Sequence, residues 1–349
     1  MSGWGAIAEA HEAQEAQERN RLVPEEPDTL GDDIDQNGNR IETKVEEKIS
    51  SSTFVSKFPH IASELDAQGK PSSIKPSHIF AGVVGHEGTG KTGIVMDGHM
   101  HRYTNDEQLW AIDFDNGAMA CKQAHYDSDP RIRIFSPWVM QMEDRTAYNY
   151  LDTYQKVMDI GKFAVEYAER QYEEGFDKPL LKTLLVTAVD QFDSVCMNNM
   201  KIYDLEMDAK DAIEASAAKL NQEIGWNWNI RSTRFKQLTA ICQKLNSLGV
   251  DVFWETHLKE DKEGKIGFDG WKFAWEKNAT NDVFQILWCN AKAIRNNDGS
   301  LTGETRYYVD FFKQKTNSNL KGQERVYFVT KKGEPAEWFG LSELRDGVL

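Results

Sequence analysis

The stretch Gly85-His86-Glu87-Gly88-Thr89-Gly90-Lys91-Thr92 decides the fold of this chain. It matches the pattern G-x-x-x-x-G-K-[ST], which is typical of loops that bind the phosphates of a nucleotide. Small residues at positions 85, 88 and 90 allow successive backbone N–H groups to turn inward around an anion. In this pattern the lysine reaches the β- and γ-phosphates and the threonine hydroxyl binds Mg²⁺. Residues 85–92 therefore predict a site for a nucleoside triphosphate, which we expect to be ATP, with Mg²⁺.

The flanking sequence has the context that this loop requires. An apolar run, His78-Ile79-Phe80-Ala81-Gly82-Val83-Val84, precedes it and predicts a strand, and Gly93-Ile94-Val95-Met96 follows it and can open a helix. A helix that begins here points its positive N-terminal end at the bound phosphate.

Composition limits the classes of protein to consider. The chain has 349 residues, 40% of them hydrophobic, and this length fits either two domains or one large α/β domain with a tail. The four cysteines lie far apart, which argues against a zinc site and against a disulfide framework. Because no leader and no apolar run of membrane-spanning length is visible, we expect a cytoplasmic protein without a membrane partner.

The acidic charge is uneven along the chain. Of the net charge of −15, residues 1–75 contribute −7, since they carry 15 Asp and Glu residues against 8 Lys and Arg residues. Helix formers without an apolar stripe, followed by acidic and Pro-rich sequence, predict a disordered acidic arm over residues 1–73, available to a protein partner. Residues 74–349 are predicted to form the folded domain.

Apolar strands alternate with helical patterns from residue 78 onward, which predicts a mainly parallel α/β sheet covered by helices. The predicted strands are 79–84, 108–113, 132–135, 183–189, 250–255 and 283–288, and the predicted helices are 91–102, 144–173, 191–221 and 231–248. The runs 305–312 and 325–330 predict an antiparallel pair at the C-terminal end.

Two carboxylates are predicted to complete the phosphate site from the ends of neighbouring strands. Asp190 ends the apolar run Leu184–Val189, where a carboxylate can bind Mg²⁺ together with Thr92. Gln191, and not a glutamate that could act as a base, follows it. The group that activates water must therefore come from elsewhere. Asp115 is the candidate, because alternation along an extended chain points it the same way as Asp113. The alternative for this Asp-x-Asp-Asn-Gly stretch is a solvated turn.

Two further polar segments follow predicted strands. His257 comes after the strand ending at Glu255, where it can report whether the γ-phosphate is present, and an ordinary surface histidine is the alternative. Lys313 and Lys315 project to one side of a late strand and can reach the phosphates of a neighbouring subunit. The alternative is a pair of solvated lysines that protect a sheet edge.

The order of these segments resembles the RecA-type ATPase core, and most closely the RecA-like phage nucleotide-binding proteins that include single-strand-annealing recombinases. The resemblance spans roughly residues 78–318. In that superfamily the strand after the phosphate loop ends in Asp-x-Glu, whose Glu is the catalytic base, whereas this chain has Asp115 at that place. The resemblance implies an oligomeric ring or filament in which Lys313 and Lys315 act across the subunit interface.

The resemblance also implies two loops that contact single-stranded DNA, roughly 196–230 and 259–281. Aromatic and basic side chains are interleaved there, which suits base stacking and neutralisation of the backbone. The alternative is that each tryptophan packs beneath its own loop. The candidate DNA-binding residues are Trp226, Trp228, Arg231, Lys259, Lys272 and Trp275.

Taken together, these features predict a phage or viral RecA-like ATPase that acts on single-stranded DNA in recombination, repair or replication. Two alternatives remain open at this point. One is a nucleotide-gated assembly or scaffold protein with little hydrolysis. The other is a hexameric DNA motor, either a helicase or a packaging ATPase.

Overall fold

A computed structural model describes residues 76–103, 106–142, 147–208, 228–260 and 271–349, apart from the side chain of Trp228. All of them belong to one compact unit, Pro71–Leu349. The predicted disordered arm over residues 1–73 lies outside the described residues. Among the described residues, no helix is long and apolar enough to cross a membrane.

The strands lie between residues 80 and 338. In chain order they are β1 (Phe80–Gly85), β2 (Gln108–Ile112), β3 (Ile132–Phe135), β4 (Leu181–Val186), β5 (Asp251–Thr256), β6 (Leu258–Glu260), β7 (Trp271–Phe273), β8 (Gln285–Arg295), β9 (Leu301–Gln314), β10 (Glu324–Lys331) and β11 (Glu337–Trp338). In the described part of the chain, nine of them form one sheet in the order β11-β10-β9-β8-β1-β5-β4-β2-β3, and β6 pairs with β7 as a separate hairpin.

The six strands from β8 to β3 are parallel, and β9, β10 and β11 continue the sheet in antiparallel fashion. Every residue of β1 and β2 is buried. This burial explains why both strands are almost continuously apolar, since a parallel sheet is covered on both faces. The predicted mainly parallel sheet and the C-terminal antiparallel pair are confirmed.

Helices cover both faces of the sheet. They are α1 (Lys91–Arg102), α2 (Gly117–His125), α3 (Tyr150–Arg170), α4 (Val189–Asn199), α5 (Trp228–Ser247), α6 (Ala279–Asp282) and α7 (Ser342–Arg345). Apolar residues of α3, α4 and α5 form one core with the sheet, and those of α1, α2 and α7 form a second core on the opposite face. A short π-helix, Met200–Asp204, continues α4.

The predicted boundaries differ from the observed ones mainly after β4. The predicted strand 183–189 ends at Val186, because Ala188 adopts a left-handed conformation with φ 44° and turns the chain into α4. The predicted helix 191–221 is described only as α4 and the π-helix, and residues 209–227 lie outside the described part. The hairpin of β6 and β7 was not predicted, because strands of three residues show no clear alternation.

Candidate functional site

The predicted phosphate loop, residues 85–92 (called the phosphate loop below), joins β1 to α1 at the edge of the sheet where the parallel strands end. Gly88 and Gly90 have φ of 73° and 74°, a left-handed conformation that favours glycine. Gly85 allows a close approach, since an added Cβ would lie 2.5 Å from the carbonyl oxygen of Cys289. The three small residues singled out in the sequence are therefore required by the backbone.

The ammonium group of Lys91 lies over the beginning of the loop. Its Nζ donates hydrogen bonds to the carbonyl oxygens of Gly85, at 3.1 Å, and His86, at 3.0 Å. The hydroxyl of Thr89 donates to the same His86 carbonyl at 2.8 Å. A cation thus stands beside the N-terminus of α1, where an anion is stabilised by both.

Thr92, which is predicted to bind Mg²⁺, contacts a carboxylate that was not among the predicted site residues. Its hydroxyl donates to Oε2 of Glu255 at 2.8 Å. Glu255 is only 2% exposed and lies in β5, directly beside Val83 of β1. Its other oxygen, Oε1, has no hydrogen-bond partner among the described residues. The available signal was its place at the end of an apolar strand, immediately before Thr256 and His257.

The surroundings of Glu255 oppose its ionisation. Burial raises the pKa of this carboxyl group to about 8, and the nearby Lys91 only partly offsets the effect. The charges of Asp115 and Asp113 add to the increase. The negative charges of Asp113 and Asp115 thus act on Glu255 in the same direction as its burial.

Strand alternation predicted that Asp113 and Asp115 point the same way. They do not, because β2 ends at Ile112 and the chain bends after it. The carboxylate of Asp113 is buried and accepts hydrogen bonds from the Thr187 hydroxyl and the Met119 amide, both at 2.9 Å. The exposed Asp115 accepts one from Gly117 N at 3.0 Å. A Cβ built on Gly117 would lie 3.0 Å from Asp115 Oδ1 and 3.6 Å from Thr92 Oγ1, so Asp115 does lie next to Thr92. Its role as a base stays a prediction.

The prediction that Asp190 ends a strand is wrong, because β4 ends at Val186. It lies in the first turn of α4, beyond the left-handed Ala188. Its carboxylate accepts hydrogen bonds from the backbone N and Nδ1 of His257, at 3.3 and 3.2 Å, and from the Thr256 hydroxyl at 3.2 Å. Its described partners are thus residues at the end of β5, whereas Thr92 contacts Glu255.

His257 and Asp190 form a hydrogen-bonded pair, which becomes an ion pair when His257 is protonated. The hydrogen bond that His257 donates to Asp190 is the main reason that the pKa of His257 is raised. Burial works to raise the pKa of Asp190, but the hydrogen bonds and charge of His257 outweigh it and lower that pKa. Because His257 directly precedes β6, the pair fixes the start of the β6–β7 hairpin beside α4.

Lys313 and Lys315, predicted to reach the phosphates of a neighbouring subunit, lie at the end of the sheet opposite residues 85–92 of their own chain. Because β9 runs antiparallel to β8, its C-terminal end lies near the start of β1, where Lys313 pairs with Ile286 and Ile286 with Gly82. Lys313 Nζ donates to the carbonyl oxygens of Thr280 and Val283, and Lys315 Nζ donates to that of Asn281 at 3.0 Å. Burial and the charge of Lys315 lower the pKa of Lys313 to about 8. A role across a subunit interface stays a prediction.

Several of the candidate DNA-binding residues line one surface cavity of about 500 Å³. Basic and aromatic side chains surround it together with Asp193; they include Arg231, Lys259, Lys272, Trp271, Trp275 and Lys277. Arg231 pairs with Asp193 at 3.3 Å, and Lys259 Nζ donates to the carbonyl oxygen of Ala274 at 3.1 Å. Trp226 and the side chain of Trp228 lie outside the described part of the chain.

Trp275 is a buried core residue, in agreement with the alternative that the tryptophans pack beneath their own loops. It is 4% exposed, and its indole Nε1 donates to the Thr280 hydroxyl at 3.1 Å. It packs beneath β1 so closely that a Cβ on Gly82 would lie 2.3 Å from its ring. The aromatic group that the cavity exposes is instead Trp271, which is 37% exposed.

Trp271 also connects the cavity to the phosphate loop. Its ring lies 4.5 Å from the ring of His86, with an angle of 86° between the two planes. Edge-to-face contacts of this kind are favourable for aromatic rings. This ring contact joins the loop at His86 to the β6–β7 hairpin.

The C-terminal strands support the other side of the phosphate loop. The hydroxyl of Tyr327 donates to the carbonyl oxygen of Thr89, and the ring of Trp338 lies next to Gly90 and Gly93. Trp338 Nε1 donates to Asp97 of α1 at 3.0 Å. The loop is thus supported by contacts from β10 and β11.

The residues around Thr92 fit a Mg²⁺ ion bound together with phosphates. A threonine hydroxyl and a carboxylate are the hard oxygen ligands that Mg²⁺ prefers, and the buried Oε1 of Glu255 has no other described partner. Within the described ranges, no group of three or more His, Cys, Asp and Glu side chains is arranged to hold a metal ion. One or two carboxylates suffice when phosphates and water supply the remaining ligands.

Comparison with known proteins gave no family to which the chain can be assigned. No protein-family model matches the sequence, and no curated protein matches it either.

Proposed function

We propose that this chain is a RecA-like ATPase that binds ATP with Mg²⁺ and acts on single-stranded DNA. The observation that carries the proposal is the loop between β1 and α1. Gly88 and Gly90 are left-handed there, Lys91 lies over the loop, and Thr92 contacts a buried carboxylate. This arrangement presents backbone N–H groups, a helix N-terminus and an ammonium group to one anion.

Each residue has a distinct task in the proposed reaction. The amides of residues 86–92 and Lys91 bind the phosphates, while Thr92 and a carboxylate hold Mg²⁺, which neutralises charge on the phosphates when bound. Asp115, exposed beside Thr92, orients the attacking water. His257, paired with Asp190, senses the γ-phosphate and passes its loss to the β6–β7 hairpin.

Calorimetric titration with ATP and Mg²⁺ tests the nucleotide site. Wild type should bind, and Lys91→Ala should bind about 100-fold more weakly, because it loses charge-assisted hydrogen bonds to the phosphates. Lys321→Ala, which removes an exposed lysine elsewhere, is the matched control and should bind like wild type. Undetectable binding by wild type would refute the proposed function.

The basic and aromatic cavity supports single-stranded DNA as the second ligand. Base stacking on an exposed tryptophan and neutralisation of the backbone by lysines are the usual features of such sites. DNA affinity should fall steeply with salt, and Lys272→Gln and Lys277→Gln should each reduce the slope against log salt by about 0.7. Lys321→Gln should leave the slope unchanged, and equal slopes for all variants would exclude this cavity.

Turnover separates the proposed ATPase from the two alternatives. ATP binding without hydrolysis, with or without DNA, would favour a nucleotide-gated scaffold. Directional unwinding of a duplex would favour a helicase. The six parallel strands, with the loop at the end of β1, fit all three interpretations, so the turnover measurement decides among them.

A further inference from the structure

Glu255 occupies a position in the phosphate site that no other described carboxylate shares. It lies in β5, the strand that pairs directly with β1, and its side chain is buried against α1. Oε2 accepts a hydrogen bond from the Thr92 hydroxyl at 2.8 Å. Oε1 is buried and has no hydrogen-bond partner among the described residues.

A buried carboxylate oxygen without a hydrogen-bond partner is energetically unfavourable, so we expect it to bind a group that the described residues do not supply. Lys91 is the nearby cation, but both of its described hydrogen bonds go to loop carbonyls. Asp113 and Asp115 lie close enough to add further negative charge. A divalent cation beside Thr92 would relieve this accumulation of carboxylates.

Asp190, the carboxylate expected from the sequence to bind Mg²⁺, is engaged differently. Oδ1 accepts hydrogen bonds from Thr256 and from both the backbone N and the ring of His257, and Oδ2 also contacts that ring at 3.2 Å. Its side chain therefore holds the end of β5 against α4. This arrangement gives Asp190 a task that needs no metal ion.

We propose that Glu255, together with Thr92, binds the Mg²⁺ ion of the Mg²⁺–nucleotide complex, and that Asp190 is a positioning residue for His257. The proposal rests on the proposed function, since it assigns a ligand within the same nucleotide site. It makes β5, and not the first turn of α4, the element that supplies the metal-binding carboxylate.

The test compares ATP affinity with Mg²⁺ and with EDTA, measured by calorimetry, in wild type and in two variants. Glu255→Gln keeps the size of the side chain and a carbonyl oxygen for Thr92, but it removes the negative charge. We expect it to retain the metal-free affinity and to lose about tenfold or more of the gain that Mg²⁺ gives wild type. Asp190→Asn should keep that gain.

A second readout follows the metal directly. Mn²⁺ added in place of Mg²⁺ to wild type saturated with ATP should show slow tumbling in electron paramagnetic resonance, and Glu255→Gln should release it at lower competing EDTA than Asp190→Asn does. A purely structural role of Glu255 would change the two ATP affinities equally and would not change Mn²⁺ retention. Should Glu255→Gln not fold, Glu255→Asp replaces it, since the shorter carboxylate is also expected to weaken the Mg²⁺ gain.

The outcomes distinguish this inference from its premise. If wild type binds no ATP, the proposed function fails and the inference fails with it. If wild type binds ATP and Glu255→Gln keeps the full Mg²⁺ gain, only the inference is overturned. Loss of the gain in Asp190→Asn but not in Glu255→Gln would restore the assignment expected from the sequence.

Discussion

Asp115 is the carboxylate expected to separate ATP hydrolysis from ATP binding. It is exposed beside Thr92 and is described with a single hydrogen bond, from Gly117 N, whereas the nearby Asp113 is buried and bonded to Thr187 and Met119. We predict that Asp115→Asn lowers kcat about 100-fold or more, as loss of a general base does, while ATP affinity changes little. Steady-state phosphate release and calorimetry measure the two quantities.

Asp159→Asn is the matched control for this prediction, because it changes an exposed carboxylate on α3, away from the phosphate loop. It should hydrolyse ATP like wild type. A kcat of Asp115→Asn equal to that of wild type would assign the Asp-x-Asp-Asn-Gly stretch to a solvated turn.

His99 is predicted to make the folded protein sensitive to mild acid. Burial lowers its pKa to about 4, and its ring bonds to the Thr183 hydroxyl at 2.8 Å and the Glu107 carbonyl at 3.3 Å. Because the unfolded chain binds the proton more tightly, the stability contributed by neutral His99 is present above pH 6.5 and is lost as pH falls towards 4. The loss amounts to about 3 kcal/mol.

Urea denaturation between pH 7 and pH 4 measures this effect. His99→Gln should show a smaller decrease in the free energy of unfolding over that range than wild type does. His125→Gln, which replaces an exposed histidine at the end of α2, should follow wild type. Equal decreases for wild type and His99→Gln would show that other groups cause the acid sensitivity.

Several site residues were predictable from sequence because their chemistry depends on local pattern. The left-handed Gly88 and Gly90 and the position of Lys91 follow from spacing along the chain. Glu255 was not found, because its contact with Thr92 joins residues 163 positions apart and depends on the pairing of β5 with β1. The end of β4 was misplaced because the left-handed turn at Ala188 interrupts an apolar run that shows no break in sequence.

The contact of α7 with α1 is expected to stabilise the helix that carries the phosphate loop. Arg345 forms two hydrogen bonds to Asp97 of α1, at 2.7 and 2.8 Å, and Asp97 is 4% exposed. Removing the partner of a buried charge is strongly destabilising. Arg345→Ala should therefore lower the free energy of unfolding by about 3 kcal/mol.

Arg306→Ala provides the control, because Arg306 pairs with Glu304 on β9 and its side chain is 45% exposed. An exposed pair of this kind contributes about 0–1 kcal/mol. Denaturant titration of both variants gives the comparison. Equal effects of the two substitutions would contradict the role assigned to the α7–α1 contact.

The location of Lys313 and Lys315 in the sheet was not predictable from the order of the segments, because it depends on the antiparallel end of the sheet. An apolar run shows where a strand lies, but it does not show its direction, and the direction of β9 decides to which edge these lysines belong. The mainly parallel sheet was predictable because strands and helices alternate along the chain. The support of the loop by β10, β11 and α7 was not, since it joins segments more than 200 residues apart.

The Trp271–His86 contact joins the proposed nucleotide site to the proposed DNA site, and we predict that it couples the two. His86 belongs to the phosphate loop, and Trp271 begins β7 and lines the basic cavity. If ATP changes DNA affinity by some factor, DNA must change ATP affinity by the same factor, because coupling free energy is reciprocal. We expect a factor of about ten in wild type, a typical size for such coupling.

Trp271→Ala should bring the factor close to one, even if it also weakens DNA binding, whereas Phe163→Ala, which removes an exposed ring from α3, should preserve it. Fluorescence anisotropy of a labelled oligonucleotide with and without ATP, and calorimetry of ATP with and without DNA, measure the two factors. An unchanged factor in Trp271→Ala would place the coupling elsewhere, and the His257–Asp190 pair would be the next contact to test.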